Sequence, residues 1–278
     1  MKRMSFHEHE ASVCISRWNL IEDGAPLKTA SSYLLPVTCD GVAAMLKITA
    51  DPDEQRGAAL MAWWGGAGAA PVLKHDLGVM LLERASRDRS LAALVYEGSD
   101  DDATSLLCAT AARLHLREGR DAPSLKPLED WFASLLNFSQ TDEAWIVECS
   151  TLARLLLSEQ SAAVPLHGDL HHGNILDFGS RGWLAIDPKA LWGERTADYA
   201  AMFLNPDLAD PDRPFAVDSG AFERRVRTVS SLAGLDSRRL LRWIQVWSGL
   251  SALWFLEDGG DPVVQRRIGE LAARSLAQ

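Results

Sequence analysis

Between residues 167 and 188 the chain reads HGDLHHGNILDFGSRGWLAIDP, which gathers three histidines, three aspartates and one asparagine into 22 positions. Polar groups at that density suit a metal cage, a hydrolytic site or the floor of a phosphate-transfer site, and each needs its own spacing. A zinc site would draw on His167, Asp169, His171 and His172. So short a segment does not bring three of them around one tetrahedral ion, and the H-E-x-x-H helix signature is absent. A serine hydrolase needs a G-x-S-x-G elbow, which the chain lacks; Ser180 sits in a G-S-R-G turn. An ordinary polar loop accounts for a lone histidine but not for an ordered set.

The spacing matches the third chemistry. Kinase-like phosphotransferases use H-x-D-x-x-x-x-N, in which the aspartate orients the attacking hydroxyl and the asparagine binds Mg²⁺. Here His167 and Asp169 are followed by Asn174, five residues beyond the aspartate. A second metal carboxylate must come from another backbone segment, after a short hairpin, and Asp187 closes the run Trp183–Ile186 at that point. Asp177-Phe178-Gly179 spells D-F-G but starts three residues after Asn174, too early to follow the hairpin. It reads as the end of the hairpin's first strand.

The elements that would position these groups follow from pattern. Short apolar runs at Trp18–Glu22, Ser32–Thr38 and Val42–Ile48, separated by Asp-Gly turns, predict strands, the last two as a hairpin. Asp53–Trp64 predicts a helix ended by Gly65-Gly66, and Val72–Leu73 and Val79–Leu82 two further strands. After about residue 100 the apolar spacing turns helical at Ala103–Leu116, Leu128–Phe138, Glu143–Ser158, Phe222–Leu232 and Ser237–Leu256. One β interlude, Val164–Leu166, Ile175–Phe178 and Trp183–Ile186, carries the polar cluster. The expected fold class is α+β and bilobed: a β-rich N-terminal lobe over 1–83, a linker over 84–90 and a mostly helical lobe over 91–278.

Phosphoryl transfer also needs a phosphate-gripping lysine on the third strand, in a context like V-A-I-K. Lys47 in Ala43–Ile48 meets this; it is one of two lysines between residues 4 and 73, and it interrupts an apolar strand. Glu54, at the start of the next helix, fits best as its partner, with Asp53 as rival. A glycine-rich phosphate loop and an A-P-E motif are both missing, which argues against a eukaryotic-type protein kinase.

With HGDLHHGN and the downstream I-D, the chain resembles the aminoglycoside phosphotransferase family, a protein-kinase-like group. It is most similar to its streptomycin 6-phosphotransferase and hydroxyurea-resistance kinase branch. SSYLLPV, AMLKI, LLERAS, CATAARLH, GERTADYA, NPDLADPDRP and LLRWIQVWSGLSALWF extend the similarity from about residue 31 to 255. The resemblance implies an ATP-dependent kinase, with GTP an open alternative, that uses Mg²⁺ to phosphorylate an alcohol of a cationic small molecule: streptomycin at its 6-position, with hydroxyurea or a silent binding protein as alternatives. It also implies roles. Lys47 grips nucleotide phosphates, Glu54 positions it, and the backbone of Glu83–Ala85 receives adenine. Asp169 orients the acceptor, Asn174 and Asp187 hold Mg²⁺, His167 braces the catalytic loop, and Asp198 ties it down. His171 and His172 read as loop structure or substrate-side surface.

A guanidinium-bearing substrate calls for carboxylates and aromatic faces. Trp192 and Glu194 stand close after Asp187, and Asp207, Asp210, Asp212, Glu257, Asp258 and Asp261 are further candidates. Trp243, Trp247 and Trp254 fall at the helical spacing of core residues.

The whole-chain numbers agree with a soluble enzyme. Of 278 residues 47% are hydrophobic and 24% charged, and the formal net charge is −10. That balance speaks against nucleic acid or an anionic membrane as partner. Four scattered cysteines without a C-x-x-C pair imply free thiols, and no run approaches the roughly 18 apolar residues of a membrane span. A monomeric cytoplasmic protein is expected.

Overall fold

Strand alternation explains how a lysine comes to point into the molecule. The computed structural model describes residues 6–29, 31–86, 89–116, 121–139 and 143–278. Within them, β1 (Ile21–Glu22), β2 (Leu27–Lys28), β3 (Ser32–Cys39), β4 (Val42–Thr49), β5 (Val72–Asp76) and β6 (Val79–Glu83) form one antiparallel sheet. Its order is β1-β3-β4-β6-β5, with β2 also paired to β3. Side chains alternate across the pleat. Ala44, Leu46 and Ile48 of β4 join Val79 and Leu81 of β6 in a small core, closed by α1 (Phe6–Trp18) through Ala11 and Cys14. Met45, Met80 and Leu82 face the other way, into the main core. Lys47 shares that second parity.

α1 corrects the expected strand at Trp18–Glu22: the helix runs to Trp18 and only Ile21–Glu22 pairs with β3. With just Ala11 and Cys14 buried, the helix carries too thin an apolar stripe to announce itself. α2 (Pro52–Trp64) starts where expected. Asp51 caps it by accepting the amides of Asp53 and Glu54, Pro52 occupies the first turn, and Gly65 ends it in the left-handed conformation. Gly57 is required by contact: a Cβ there would lie 2.2 Å from the Pro188 carbonyl oxygen. α2 therefore sits directly on the segment that follows Asp187.

Residues 87 and 88 of the expected linker lie outside the described residues. Beyond them come α3 (Leu91–Tyr96), α4 (Asp100–His115), β7 (Lys126–Pro127), α5 (Leu128–Trp131), α6 (Ala133–Leu136), α7 (Ala144–Ser158) and β8 (Ala163–Leu166). The chain continues through β9 (Ile175–Asp177), β10 (Trp183–Ala185), β11 (Leu191–Glu194), α8 (Arg195–Asp198), α9 (Ser219–Ala233), α10 (Ser237–Glu257) and α11 (Val263–Leu276). The helix expected over Leu128–Phe138 is two short ones meeting at Phe132. α3, β11 and α11 were not anticipated. β9 and β10 form the expected hairpin, and β11 lies between β7 and β8. Trp243 and Trp247 are buried against Phe132, as core residues. All four cysteines are free and buried, and burial pushes the Cys108 and Cys149 thiols up to about 12. Among the described residues no helix is long and apolar enough to cross a membrane.

One buried ion pair fastens the helical part. Arg225 of α9 donates from Nε and Nη2 to Asp100, the first residue of α4, at 2.9 and 2.6 Å, and from Nη1 to the Asn205 carbonyl at 2.7 Å. Breaking such a pair leaves a charge in the interior, which costs about 3–5 kcal/mol. Asp100→Ala is expected to lose stability on that scale in urea denaturation; a loss below about 1 kcal/mol would show that Arg225 finds other acceptors.

Candidate active site

The HGD turn is built around a buried carboxylate. β8 delivers His167 and Gly168, and their backbone amides donate to Asp198 at 3.0 and 2.7 Å, while His115 of α4 bonds the same carboxylate at 2.8 Å. Asp198 is 1% exposed. Burial alone would raise its pKa; the hydrogen bonds from His115 and the Gly168 amide outweigh that and hold it below the usual carboxylate range. Gly168 cannot be replaced without movement, because φ is +78° and a Cβ would lie 2.7 Å from the Leu191 side chain.

His167 carries the turn across to the hairpin. Its Nδ1 accepts the Asp169 amide at 3.2 Å, so the proton sits on Nε2, which donates to the Ile186 carbonyl at 2.8 Å. Burial lowers its pKa and keeps the ring neutral. Trp64, the last residue of α2, stacks on it with ring centroids 6.4 Å apart. One imidazole thus fixes Asp169 relative to the residue before Asp187.

Around this brace the structure brings together the residues that spacing singled out. Asn174 donates Nδ2 to the Asp169 carbonyl at 2.9 Å and to its carboxylate at 3.2 Å, which leaves the Asn174 side-chain oxygen free to act as a ligand. Asp187, at φ +57°, directs Oδ1 to Lys47 Nζ at 2.8 Å, and Glu54 Oε2 meets the same ammonium at 2.5 Å. Burial works against the Lys47 charge, but Asp187 and Glu54 outweigh it and raise its pKa. Of the two rivals, Glu54 is the partner; Asp53 pairs instead with Arg56 and Lys126. Lys189, not singled out by the sequence reading, also reaches Glu54, at 3.4 Å. His171 stands 3.6 Å from Asp169, and burial lowers its pKa.

No group of three or more His, Cys, Asp or Glu side chains able to hold a metal occurs among the described residues. Asn174 and Asp187 offer oxygen only. Such a pair fits a hard cation that completes its shell with water and phosphate oxygens, the usual habit of Mg²⁺.

Beside Lys47 and Asp187 lies a narrow cleft. Leu34, Met45 and Leu82 of the sheet form one wall, and Leu176, Phe178 and Ile186 of the hairpin segment the other. A flat purine suits two apolar walls. Glu83, Arg84 and Ala85 line the cleft too, but the amides of Glu83 and Arg84 already donate to Pro71 and Ala43. The Ala85 amide makes no hydrogen bond among the described residues, so it is the donor available to a base. The Glu83 side chain pairs with Arg181. The D-F-G aspartate, Asp177, is structural: it accepts from Arg89 and the Gly179 amide.

Two substrate-side expectations need correction. Glu194 is buried and receives Arg239 Nε at 2.6 Å, so its charge is spent on α10. Asp207 is fully buried and accepts the amides of Phe215, Ala216 and Val217, which closes a loop. Neither is free for a ligand. Trp192 remains 40% exposed on β11, Asp210 is half-buried near Tyr96, and Glu257 and Asp258 are exposed at the end of α10; Asp212, in the turn before α9, and Asp261 are exposed as well. His115 was also missed by the sequence reading; its position in the last turn of α4 gives no local signal of the Asp198 contact.

Comparison with known proteins agrees with this geometry. A family model described as "Aminoglycoside/hydroxyurea antibiotic resistance kinase" matches residues 17–259. A streptomycin 3''-kinase of Klebsiella pneumoniae is 49% identical over 264 residues, 95% of this chain and 98% of that one. A streptomycin 6-kinase of Streptomyces glaucescens is 32% identical over 88% of this chain and 81% of its own. Among solved structures, amicoumacin kinase hAmiN in complex with AMP-PNP and Ca²⁺ superposes with a TM-score of 0.67 at 17% identity, covering 95% of this chain and 93% of that one. That likeness bears out the protein-kinase-like fold expected from the sequence.

The Asp198 environment sets a pH dependence. Its folded pKa lies below the unfolded value of about 3.9. The resulting stability is therefore present above that pH and is lost as pH falls through the folded value. Asp198→Asn is expected to be less stable by about 1–3 kcal/mol at pH 7, and the gap to wild type should narrow below about pH 4 in urea titrations. A gap that stays constant with pH would contradict the buried-carboxylate account.

Proposed function

Because the chain belongs to the aminoglycoside/hydroxyurea antibiotic resistance kinase family, we propose that it transfers the γ-phosphoryl group of ATP to streptomycin, with the 3''-hydroxyl as acceptor. The geometry that carries the chemical half of this reading is the convergence of Lys47, Glu54 and Asp187 beside an apolar cleft, with His167 linking the Asp169 amide to the Ile186 carbonyl. The acceptor position rests on the 49% identity to a 3''-kinase. The 6-hydroxyl, expected from the sequence resemblance, is the second reading; the relatives named 6-kinase support it at 32% and 30% identity. A hydroxyurea acceptor has its support in a relative at 31% identity.

Each residue has a task in the transfer. Adenine lies between the sheet wall and the hairpin wall, and the Ala85 amide donates to its edge. Lys47 neutralises phosphate oxygens of the nucleotide, held in place by Glu54. Asn174 and Asp187 would hold Mg²⁺, which would supply neutralisation of phosphate charge there. Asp169 faces the acceptor hydroxyl, with Asn174 fixing one carboxylate oxygen and the other left to take the proton. A strong base is not needed, since positioning and charge stabilisation supply most of the acceleration. On the acceptor side, Trp192, Asp210, Glu257 and Asp258 are the candidates for a cationic ring system, and the monomer contains every group named.

The test is ADP release from Mg·ATP with streptomycin, kanamycin or hydroxyurea as acceptor, followed by phosphorus–proton correlation to locate the new ester. Streptomycin-dependent turnover and a 3''-phosphate are expected, and Asp169→Asn should lower kcat about a thousandfold while ADP still binds. A 6-phosphate would replace the acceptor assignment, and turnover confined to hydroxyurea or kanamycin would reject streptomycin.

A further inference from the structure

Glu54 is shared by two lysines, and only one has a role so far. Lys47 takes Oε2 and is almost fully enclosed, its side chain 8% exposed. Lys189 meets Oε1 at the looser distance of 3.4 Å and keeps 27% of its side chain exposed. Its backbone is fixed by a 2.7 Å hydrogen bond from its amide to the His167 carbonyl. Its Cβ runs against Gly168, where an added Cβ would lie only 3.2 Å away. Lys189 therefore spans from the Lys47–Glu54 pair to the Asp169 end of the catalytic loop.

That is where negative charge must be met. In the transfer, a bond forms between the acceptor oxygen and the γ-phosphorus, and the bond from that phosphorus to the bridging oxygen breaks. The electron pair leaves with ADP, and the hydroxyl proton goes to the Asp169 carboxylate. Charge on the three equatorial oxygens of the phosphoryl group lies between the Lys47 side and the Asp169 side. The β1–β3 connection has no glycine-rich run to supply amides there.

Resting on the kinase reading above, we infer that Lys189 is a γ-phosphate ligand, which exchanges its loose contact with Glu54 for the transferred phosphoryl group. The Lys47–Glu54 pair remains intact, because it uses the other carboxylate oxygen. Lys189 thereby serves the step itself, and Glu54 is its resting partner.

Binding without an acceptor tests this independently of which alcohol is phosphorylated. Calorimetric titration with Mg·AMP-PNP and with Mg·ADP compares wild type, Lys189→Gln, Lys189→Arg and Glu54→Gln. Lys189→Gln is expected to weaken AMP-PNP about 10- to 100-fold and to leave ADP within about twofold, with Lys189→Arg recovering most of the loss. A role confined to supporting Glu54 would weaken both nucleotides in parallel, as Glu54→Gln should. Parallel weakening, or no change for AMP-PNP, would overturn the proposal. If streptomycin is not phosphorylated by wild type, the acceptor assignment falls, and the AMP-PNP to ADP ratio still decides the role of Lys189.

Discussion

The site depends on one ammonium held between two carboxylates. Lys47 comes from the middle of a strand, Glu54 from the next helix, and Asp187 from 140 residues further along the chain. Burying an ammonium is costly unless it is paired, and here two carboxylates offset that cost. The pairing therefore selects the approach of sheet, helix and hairpin. Other contacts act in the same sense: Gly57 lets α2 reach the Pro188 carbonyl, and the 65–70 loop bonds to Ala185 of β10. Positions set in this way are what phosphoryl transfer requires, since its catalysis is mainly a matter of placement and charge.

Below this pairing, a second tier of buried polar groups holds the catalytic loop. Asp198 collects two loop amides and a histidine, and His167 bonds across to Ile186. Both groups are buried. Their hydrogen bonds give Asp169 and Asp187 a fixed relation, while the proposed acceptor residues Trp192, Glu257 and Asp258 are exposed. A buried brace combined with exposed candidates for the acceptor suits a family whose named members include streptomycin and hydroxyurea kinases.

How much of this could be seen in the residues alone depended on distance along the chain. Asp169, Asn174 and Asp187 lie on one loop and hairpin, so their spacing encodes their geometry. Lys47 was legible because it interrupts an apolar strand in a context like V-A-I-K. Glu194 and Asp207 misled because acidity and closeness to the motif carry no record of a partner: Arg239 lies 45 residues from Glu194, and the amides that Asp207 accepts lie 8–10 residues beyond it. Lys189 was hidden in plain view two residues after Asp187, where it resembles any turn lysine until Glu54 is seen between it and Lys47. The helix α1 escaped for a different reason: it buries only Ala11 and Cys14, so its periodicity is weak. α11 buries Ile268, Leu271 and Ala272 at helical spacing, a signal that was legible and was not taken up.

The proposed metal site joins Asn174 of the catalytic loop to Asp187 after the hairpin, with Asp187 as its carboxylate and nucleotide binding dependent on it. Titrating ADP into wild type and Asp187→Ala, each with and without Mg²⁺, tests it most directly. Wild type should bind ADP at least about tenfold more tightly with the metal, and the variant should bind equally in both conditions. A variant that kept the full effect of Mg²⁺ would contradict the account.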